Sequence, residues 1–321
     1  MQHNIPAPAL RLAYRLLTLF KPRSATNYNA SPQTASFTGT DATQPTPPAL
    51  AATIPPLIWS YWNGQAPDPL VRQCIANWRL HCPTFEVRVL NAGTVGNFVA
   101  PGDLPHNFAT LHPTKQSDWI RLYVIHKFGG YWLDATILLT QPLDWLDAWR
   151  QTQQAEFVGF YLDGYTQDAR YPVVESWAFG APPGTPFIAA WQREFHHALI
   201  EADTDAYLAT LRQQADGADI LQGIADPAYL LIHVAAQRVL RRPNRFTLAL
   251  FRAEDTAFFY QRALWWKWYL LYPRLCLLPA EPSPAPLIKL RGGERRHFAA
   301  LFAEHGAPAP GSIWQRANAP A

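Results

Sequence analysis

The sequence predicts an α/β fold from three consecutive observations. Leu57-Ile58-Trp59-Ser60-Tyr61-Trp62, set between Pro55-Pro56 and Asn63-Gly64, is a short apolar run bounded by turn signals and reads as a strand. Leu70, Val71, Cys74, Ile75 and Trp78 then recur on one helix face. Phe85 to Leu90 alternates as a half-exposed strand, so a strand, a helix and a strand follow one another as they do in α/β proteins.

The segment before this unit reads differently. Within residues 1–23, an apolar stripe over Ala9 to Phe20 is interrupted by Arg11 and Arg15 and followed by Lys21 and Arg23, and no acid precedes Asp41. The stripe is shorter than the roughly 20 apolar residues that span a bilayer. A basic amphipathic helix on an anionic membrane surface, a helix packed on the protein itself and a targeting peptide all fit it. Residues 24–53, rich in Ser, Thr, Ala, Pro, Asn and Gln, read as a disordered linker. The folded domain is expected over 54–290 and a loose tail over 291–321.

At the centre, Trp119, Ile120, Leu122, Tyr123, Ile125 and Phe128 recur at helical spacing, and Gly129-Gly130 ends that helix. Tyr131 to Leu133 form a buried strand with Asp134 at its carboxyl end, and Ile137 to Leu139 continue into apolar structure. Ser117, Asp118 and Arg121 share a polar helix face. In open α/β sheets, ligands bind beyond the carboxyl ends of the strands, where Asp134 falls. Taken singly, the same residues suit an exposed Asp118–Arg121 ion pair worth a few tenths of a kcal/mol and a turn-capping Asp134.

Further on, Val173 to Phe179 alternates like a strand, with Glu175 as an ordinary strand-end acid, and Pro186 to Ile200 is a helix with a Phe187, Ile188, Trp191, Phe195 and Leu199 stripe. Asp226 opens another apolar helix, on which His233 lies four residues after Tyr229 and suits a satisfied core histidine. Ala263 to Tyr272 is the most aromatic stretch, suited to a core helix or to a membrane interface.

Composition narrows the function classes. A chain of 321 residues with 49% hydrophobic content can bury a sizeable core. Its net charge of +3, without a dense Lys/Arg stripe, gives no basis for nucleic-acid binding. Cys74, Cys82 and Cys276 form neither a disulfide framework nor a zinc motif, which suits a reducing compartment.

Ser117-Asp118-x-x-Arg121, followed by Phe128-Gly129-Gly130-Tyr131-Trp132-Leu133-Asp134-Ala135-Thr136, resembles the DXD-containing sugar transferases and most closely the capsular polysaccharide synthesis proteins. The resemblance implies a GT-A-like nucleotide-diphospho-sugar transferase fold, an open mixed sheet flanked by helices. It also implies a retaining, hexosyltransferase-type reaction from a nucleotide-sugar donor to a cell-surface polysaccharide or its lipid-linked precursor. The protein would then be cytoplasmic and peripheral on the inner face of the membrane.

The same resemblance assigns roles. Trp59, Tyr61 or Trp62 would lie under the base, Ser117, Asp118, Arg121 and Gly130 would meet the donor, and Lys289 would reach its phosphates. A departing diphosphate needs its charge neutralised by a divalent cation, by Arg or Lys, or by aligned backbone donors. Asp134, Thr136 and a late histidine, His233, are the candidates for holding Mn²⁺ or Mg²⁺. Where many relatives carry Asp-x-Asp, this chain has Asp134-Ala135-Thr136, so one carboxylate is missing. Glu175, in a Glu-Ser-Trp that also resembles this group, would serve the acceptor side. The competing class is a non-catalytic nucleotide-sugar or glycan binding protein on the same scaffold.

Overall fold

The computed structural model describes residues 6–17, 19, 26–28, 31–39, 52–64 and 66–319. Its architecture is α/β, an open mixed sheet of seven strands flanked by helices. The strands are β1 (Thr34–Thr38), β2 (Leu57–Tyr61), β3 (Glu86–Leu90), β4 (Gly130–Leu133), β5 (Ile137–Leu139), β6 (Phe157–Tyr161), β7 (Ala178–Ala181), β8 (Thr247–Arg252) and β9 (Leu287–Lys289). The sheet order is β1-β8-β6-β7-β4-β2-β3, while β5 and β9 make a separate antiparallel pair. Because β2 runs parallel to both β3 and β4, the carboxyl ends of β2 and β4 open on the same edge.

Strand alternation divides the core in two. Trp59, Trp132, Phe157, Leu248 and Leu250 face one layer, and Ile58, Tyr131, Leu133, Val158, Phe160, Ala249 and Phe251 face the other. The first layer contains α3 (Pro113–Phe128), α5 (Pro186–His196) and α8 (Leu231–Arg241). The second contains α1 (Ala7–Leu17), α2 (Pro69–His81) and the helices after β8. In chain order the remaining helices are α4 (Asp144–Thr152), α6 (Thr204–Gln213), α7 (Gly217–Leu221), α9 (Phe259–Ala263), α10 (Trp268–Tyr272), α11 (Gly292–His305) and α12 (Ile313–Ala317).

The α3 to β4 corner is built by two glycines. Gly129 caps α3 with φ 65°, and Gly130 opens β4 with φ 100°, where a Cβ would lie 2.6 Å from the Leu57 carbonyl oxygen. Only a residue without a side chain lets β4 approach β2 this closely.

Four sequence expectations change. Thr34–Thr38, within the stretch read as a disordered linker, is an edge strand pairing with β8 from Thr34↔Phe251 to Thr38↔Thr247. Phe37 alone is buried from it, and one such side chain contributes about 2 kcal/mol. The same stretch docks again at residues 26–28, where the Tyr28 backbone N–H donates to Glu281 and its ring packs edge-on against Phe259.

The expected loose tail folds as α11 and α12, anchored by buried Phe298, Leu301, Ile313 and Trp314. Four apolar anchors suffice in a segment otherwise rich in small residues and proline. The aromatic run over 263–272 is broken between α9 and α10: Trp265 (φ 52°) and Trp266 (φ 60°) are left-handed and exposed, while Leu270, Leu271 and Tyr272 are buried. The strand expected over Val173 to Phe179 is confined to β7, with one isolated bridge at Val174.

Helix α1 packs on the body through Leu10 and Tyr14, whereas Leu12, Leu16 and Leu19 are exposed. Lys21 and Arg23 of the basic segment lie outside the described residues. Among the described residues no helix is long and apolar enough to cross a membrane. The three cysteines are free and buried.

One buried acid ties the sheet to α5 and makes stability depend on pH. Glu156, just before β6, accepts from the Phe187 N–H at 2.8 Å, and burial pushes its carboxyl from the usual 4.5 up to about 7. A raised folded value means that the folded state binds the proton more tightly. The contribution is therefore fully present below about pH 4.5 and is lost as pH rises towards 7, on the order of 3 kcal/mol in all. Glu156→Gln keeps an acceptor for Phe187 and is expected to flatten that slope. Urea unfolding at about pH 5 and about pH 8 checks it, and an unchanged slope in the variant would mean that other groups set the dependence.

Candidate active site

Helix α3 brings Asp118 and Arg121 to the carboxyl edge of β4, and the chain leaves β4 directly through Asp134. Arg121 is nearly fully buried and its guanidinium is used on every side. Nη1 donates to the Ser176 carbonyl (2.8 Å) and Oγ (2.6 Å), and Nη2 lies 3.1 Å from Ser117 Oγ and 3.2 Å from both Asp118 Oδ1 and Asp134 Oδ1. It also lies over the Trp132 ring, 5.1 Å from the centroid. The Asp118–Arg121 pair is therefore buried and is not an exposed surface pair.

The second cation comes from the far end of the chain. Antiparallel pairing of β5 with β9 puts Lys289 opposite Ile137, three residues after Asp134. Its Nζ lies 2.8 Å from Asp134 Oδ2 and 2.9 Å from Thr136 Oγ1, while Thr136 Oγ1 donates to the Leu290 carbonyl at 2.8 Å. Asp134 Oδ1 also accepts from Trp132 Nε1 at 3.0 Å.

The two acids respond oppositely to this setting. Burial pushes Asp118 up, only partly offset by Arg121, Lys115 and His233. Burial also acts on Asp134, but Lys289, Arg121 and the Trp132 N–H outweigh it and hold that carboxyl below its usual range.

Asp118, Arg121, Asp134 and Lys289 line a cavity of about 510 Å³ together with Glu175, Ser176, Trp177, Tyr229, His233, Glu254, Trp266 and Arg291. Also lining it, His233 Nε2 lies 2.9 Å from Glu175 Oε2, and both side chains are buried. His233 Nδ1 and Trp177 Nε1 are buried without a hydrogen-bond partner, so two residues of the wall each hold a polar atom unsatisfied by the protein. A second hollow, of about 690 Å³ over α5 and α8, holds none of the motif residues, and its Glu194 is paired with Arg242.

Several expected site residues lie elsewhere. Trp59 is fully buried, donates to the Gly129 carbonyl at 3.0 Å and stacks on Phe128. Tyr61 is buried and donates to Gln116 Oε1 at 2.8 Å, and Trp62 packs under Arg295. Strand alternation sends Trp59 and Tyr61 into the α3 layer, so neither lines the cavity. Gly130 serves the β2–β4 approach and Ser117 holds Arg121.

The proposed cation ligands do not fit together as a metal site. Both oxygens of Asp134 are engaged, Thr136 is bonded in both directions, and His233 pairs with Glu175. Among the described residues no group of three His, Cys, Asp or Glu is arranged to hold a metal ion.

The cavity also contains a residue that its sequence neighbourhood does not flag. Glu254 accepts from the Gly164 N–H (3.0 Å) and the Asp163 N–H (3.2 Å), so it fixes the loop after β6 that forms one rim. Its partners are backbone groups some 90 positions away, and no local pattern announces them.

A family model for capsular polysaccharide synthesis proteins matches residues 29–204, more than half of the chain, and the chain belongs to that family. The match spans β1 as well as the Asp118, Arg121, Asp134 and Glu175 positions. No curated protein matches the chain. Among solved structures, a PaToxG glycosyltransferase is similar at a TM-score of 0.31 and 11% identity, over 74% of this chain and 90% of that one. A likeness at that score decides nothing about fold or activity.

Proposed function

We propose that the protein is a retaining glycosyltransferase with a GT-A-like arrangement, moving a sugar from a nucleoside-diphosphate donor to a cell-surface polysaccharide or its lipid-linked precursor. The observation that carries this reading is a set of two acids and two cations, Asp118, Arg121 and Lys289 buried and Asp134 partly exposed, at the carboxyl edge of the sheet in a cavity with aromatic walls. Membership of the capsular polysaccharide synthesis family supports it.

In this reading Asp118 accepts hydrogen bonds from hydroxyls of the donor sugar. Lys289 meets the oxygens on which charge grows as the bond from the anomeric carbon to phosphate breaks, and Arg121 adds its positive charge from a position fixed by Ser117, Ser176 and both acids. Glu175, held by His233, accepts a hydrogen bond from the incoming acceptor hydroxyl. Retention rests on the family resemblance.

A screen of UDP, GDP and CMP sugars for nucleotide release, with and without Mn²⁺, tests the reading. Release from one donor class supports it. Binding without release would favour a non-catalytic sugar-nucleotide binding protein on the same scaffold.

The proposal includes a position on the inner face of the membrane. Leu12, Leu16 and Leu19 are exposed on and just beyond α1, which also carries Arg11 and Arg15, while Leu10 and Tyr14 hold the helix to the body. Recovery with anionic liposomes should fall as salt rises, since each basic residue near such a surface contributes about 1 kcal/mol. Equal recovery after Leu12 and Leu16 are changed to Ser would remove α1 from that role.

A further inference from the structure

We infer that Lys289 takes the place of a divalent cation in this site, so that the donor diphosphate is bound and released without metal. The inference rests on the transferase reading and concerns how that site neutralises charge.

The geometry resembles a cation site with an ammonium at its centre. Lys289 Nζ sits between Asp134 Oδ2 at 2.8 Å and Thr136 Oγ1 at 2.9 Å, the two polar positions of the Asp134-Ala135-Thr136 turn. An ammonium carries three N–H donors, so two are engaged by the turn and one remains for a ligand oxygen. Lys289 lines the cavity, and its side chain is still 11% exposed.

Asp134 is poorly available for a second cation. Its other oxygen accepts from Arg121 Nη2 (3.2 Å) and Trp132 Nε1 (3.0 Å), so Mg²⁺ at its usual distance of about 2.0–2.1 Å would have to displace the ammonium or stand against the guanidinium and an indole N–H. The carboxylate that would compensate is absent, because Ala135 and Thr136 follow Asp134. Thr136 Oγ1 gives its proton to the Leu290 carbonyl, which turns its lone pairs towards Lys289.

This arrangement also accounts for the missing acid. With a covalently tethered cation already present, a second carboxylate would over-neutralise the charge needed to attract a diphosphate. The job of Asp134 is then to hold Lys289 on one oxygen and Arg121 on the other, which keeps the ammonium aimed at the leaving group with a second positive charge fixed nearby. Such preorganised charge needs no reorganisation when the bond to the anomeric carbon breaks.

Binding of inorganic pyrophosphate to the full chain, followed by calorimetry in EDTA and again with Mg²⁺, tests this without knowledge of the nucleotide. Binding in EDTA is expected within about threefold of that with Mg²⁺, and Lys289→Met should weaken it at least about tenfold, the loss of one charge-assisted contact. Lys289→Arg, which retains the charge, should keep most of the binding and guards against a folding defect in the Met variant. Mn²⁺ alone, followed by the loss of its free-ion EPR signal, should show no site tighter than about 1 mM.

Pyrophosphate bound only with Mg²⁺, bound equally by Lys289→Met, or not bound at all would each overturn the inference. If pyrophosphate binds in EDTA and no nucleotide sugar is consumed, the transferase reading falls while the anion site stands. If donor turnover requires metal, the transferase reading stands and this inference falls.

Discussion

Arg121→Lys is expected to lower donor turnover by about 100-fold or more while the protein remains folded. The native guanidinium reaches Ser117, Asp118, Asp134 and Ser176 at once, and its plane lies over Trp132. A lysine ammonium keeps the charge but has three donors and no planar fork, so it satisfies at most one of the two acids while keeping a Ser176 contact. Misplacement of a positioned charge by about 1 Å can cost about 100-fold in rate. Arg121→Ala is a different experiment. It leaves Asp118 buried and unpaired, and breaking such a pair costs about 3–5 kcal/mol, so its signature is lost stability. Steady-state kinetics together with thermal unfolding separate the two. Normal turnover in the lysine variant would reduce Arg121 to a packing role.

Glu175→Gln is the second large effect, and it should fall on the rate and leave donor binding alone. Glu175 lines the same cavity as Lys289, and its only side-chain partner among the described hydrogen bonds is His233 Nε2 at 2.9 Å. Glutamine has the same shape and its carbonyl still accepts from the ring, so the wall should stay in place. What is lost is a carboxylate able to accept strongly from the acceptor hydroxyl, a contribution of about 100- to 10,000-fold in comparable acid–base roles. The expected pattern is a fall in kcat of at least about 100-fold with pyrophosphate affinity unchanged. An unchanged kcat would leave Glu175 as the partner of a buried histidine and nothing more.

The parts of the site that the sequence revealed are those joined by short spacing. Asp118 and Arg121 lie three residues apart on one helix, and Gly129-Gly130 forces the turn that delivers Asp134 six residues after the helix ends. Lys289 was anticipated only by order along the chain, because the β5–β9 pairing that brings it 2.8 Å from Asp134 spans more than 150 positions. The Glu175–His233 pair joins two residues 58 positions apart, and each alone has an ordinary structural reading.

The misplaced residues have equally local causes. Trp59 and Tyr61 belong to a strand buried on both faces, so aromatic content says nothing about which side meets a ligand, and both turn towards α3. Strand β1 escapes a compositional reading because a five-residue edge strand needs one anchor, Phe37, within a polar stretch. The C-terminal helices escape it for the same reason, with Phe298 and Trp314 separated by small residues.

The central claim is sugar transfer, and the stoichiometry of the reaction tests it most directly. With a donor taken from the nucleotide-sugar screen and a capsular-type glycan fragment as acceptor, nucleotide release and sugar incorporation are measured in the same sample by mass spectrometry, once in EDTA and once with Mn²⁺, and transfer in either condition counts. Transfer predicts one sugar gained by the acceptor for each nucleotide released, and a loss of both with Arg121→Lys. Tight donor binding with neither release nor incorporation, or release that never reaches the acceptor, would contradict it.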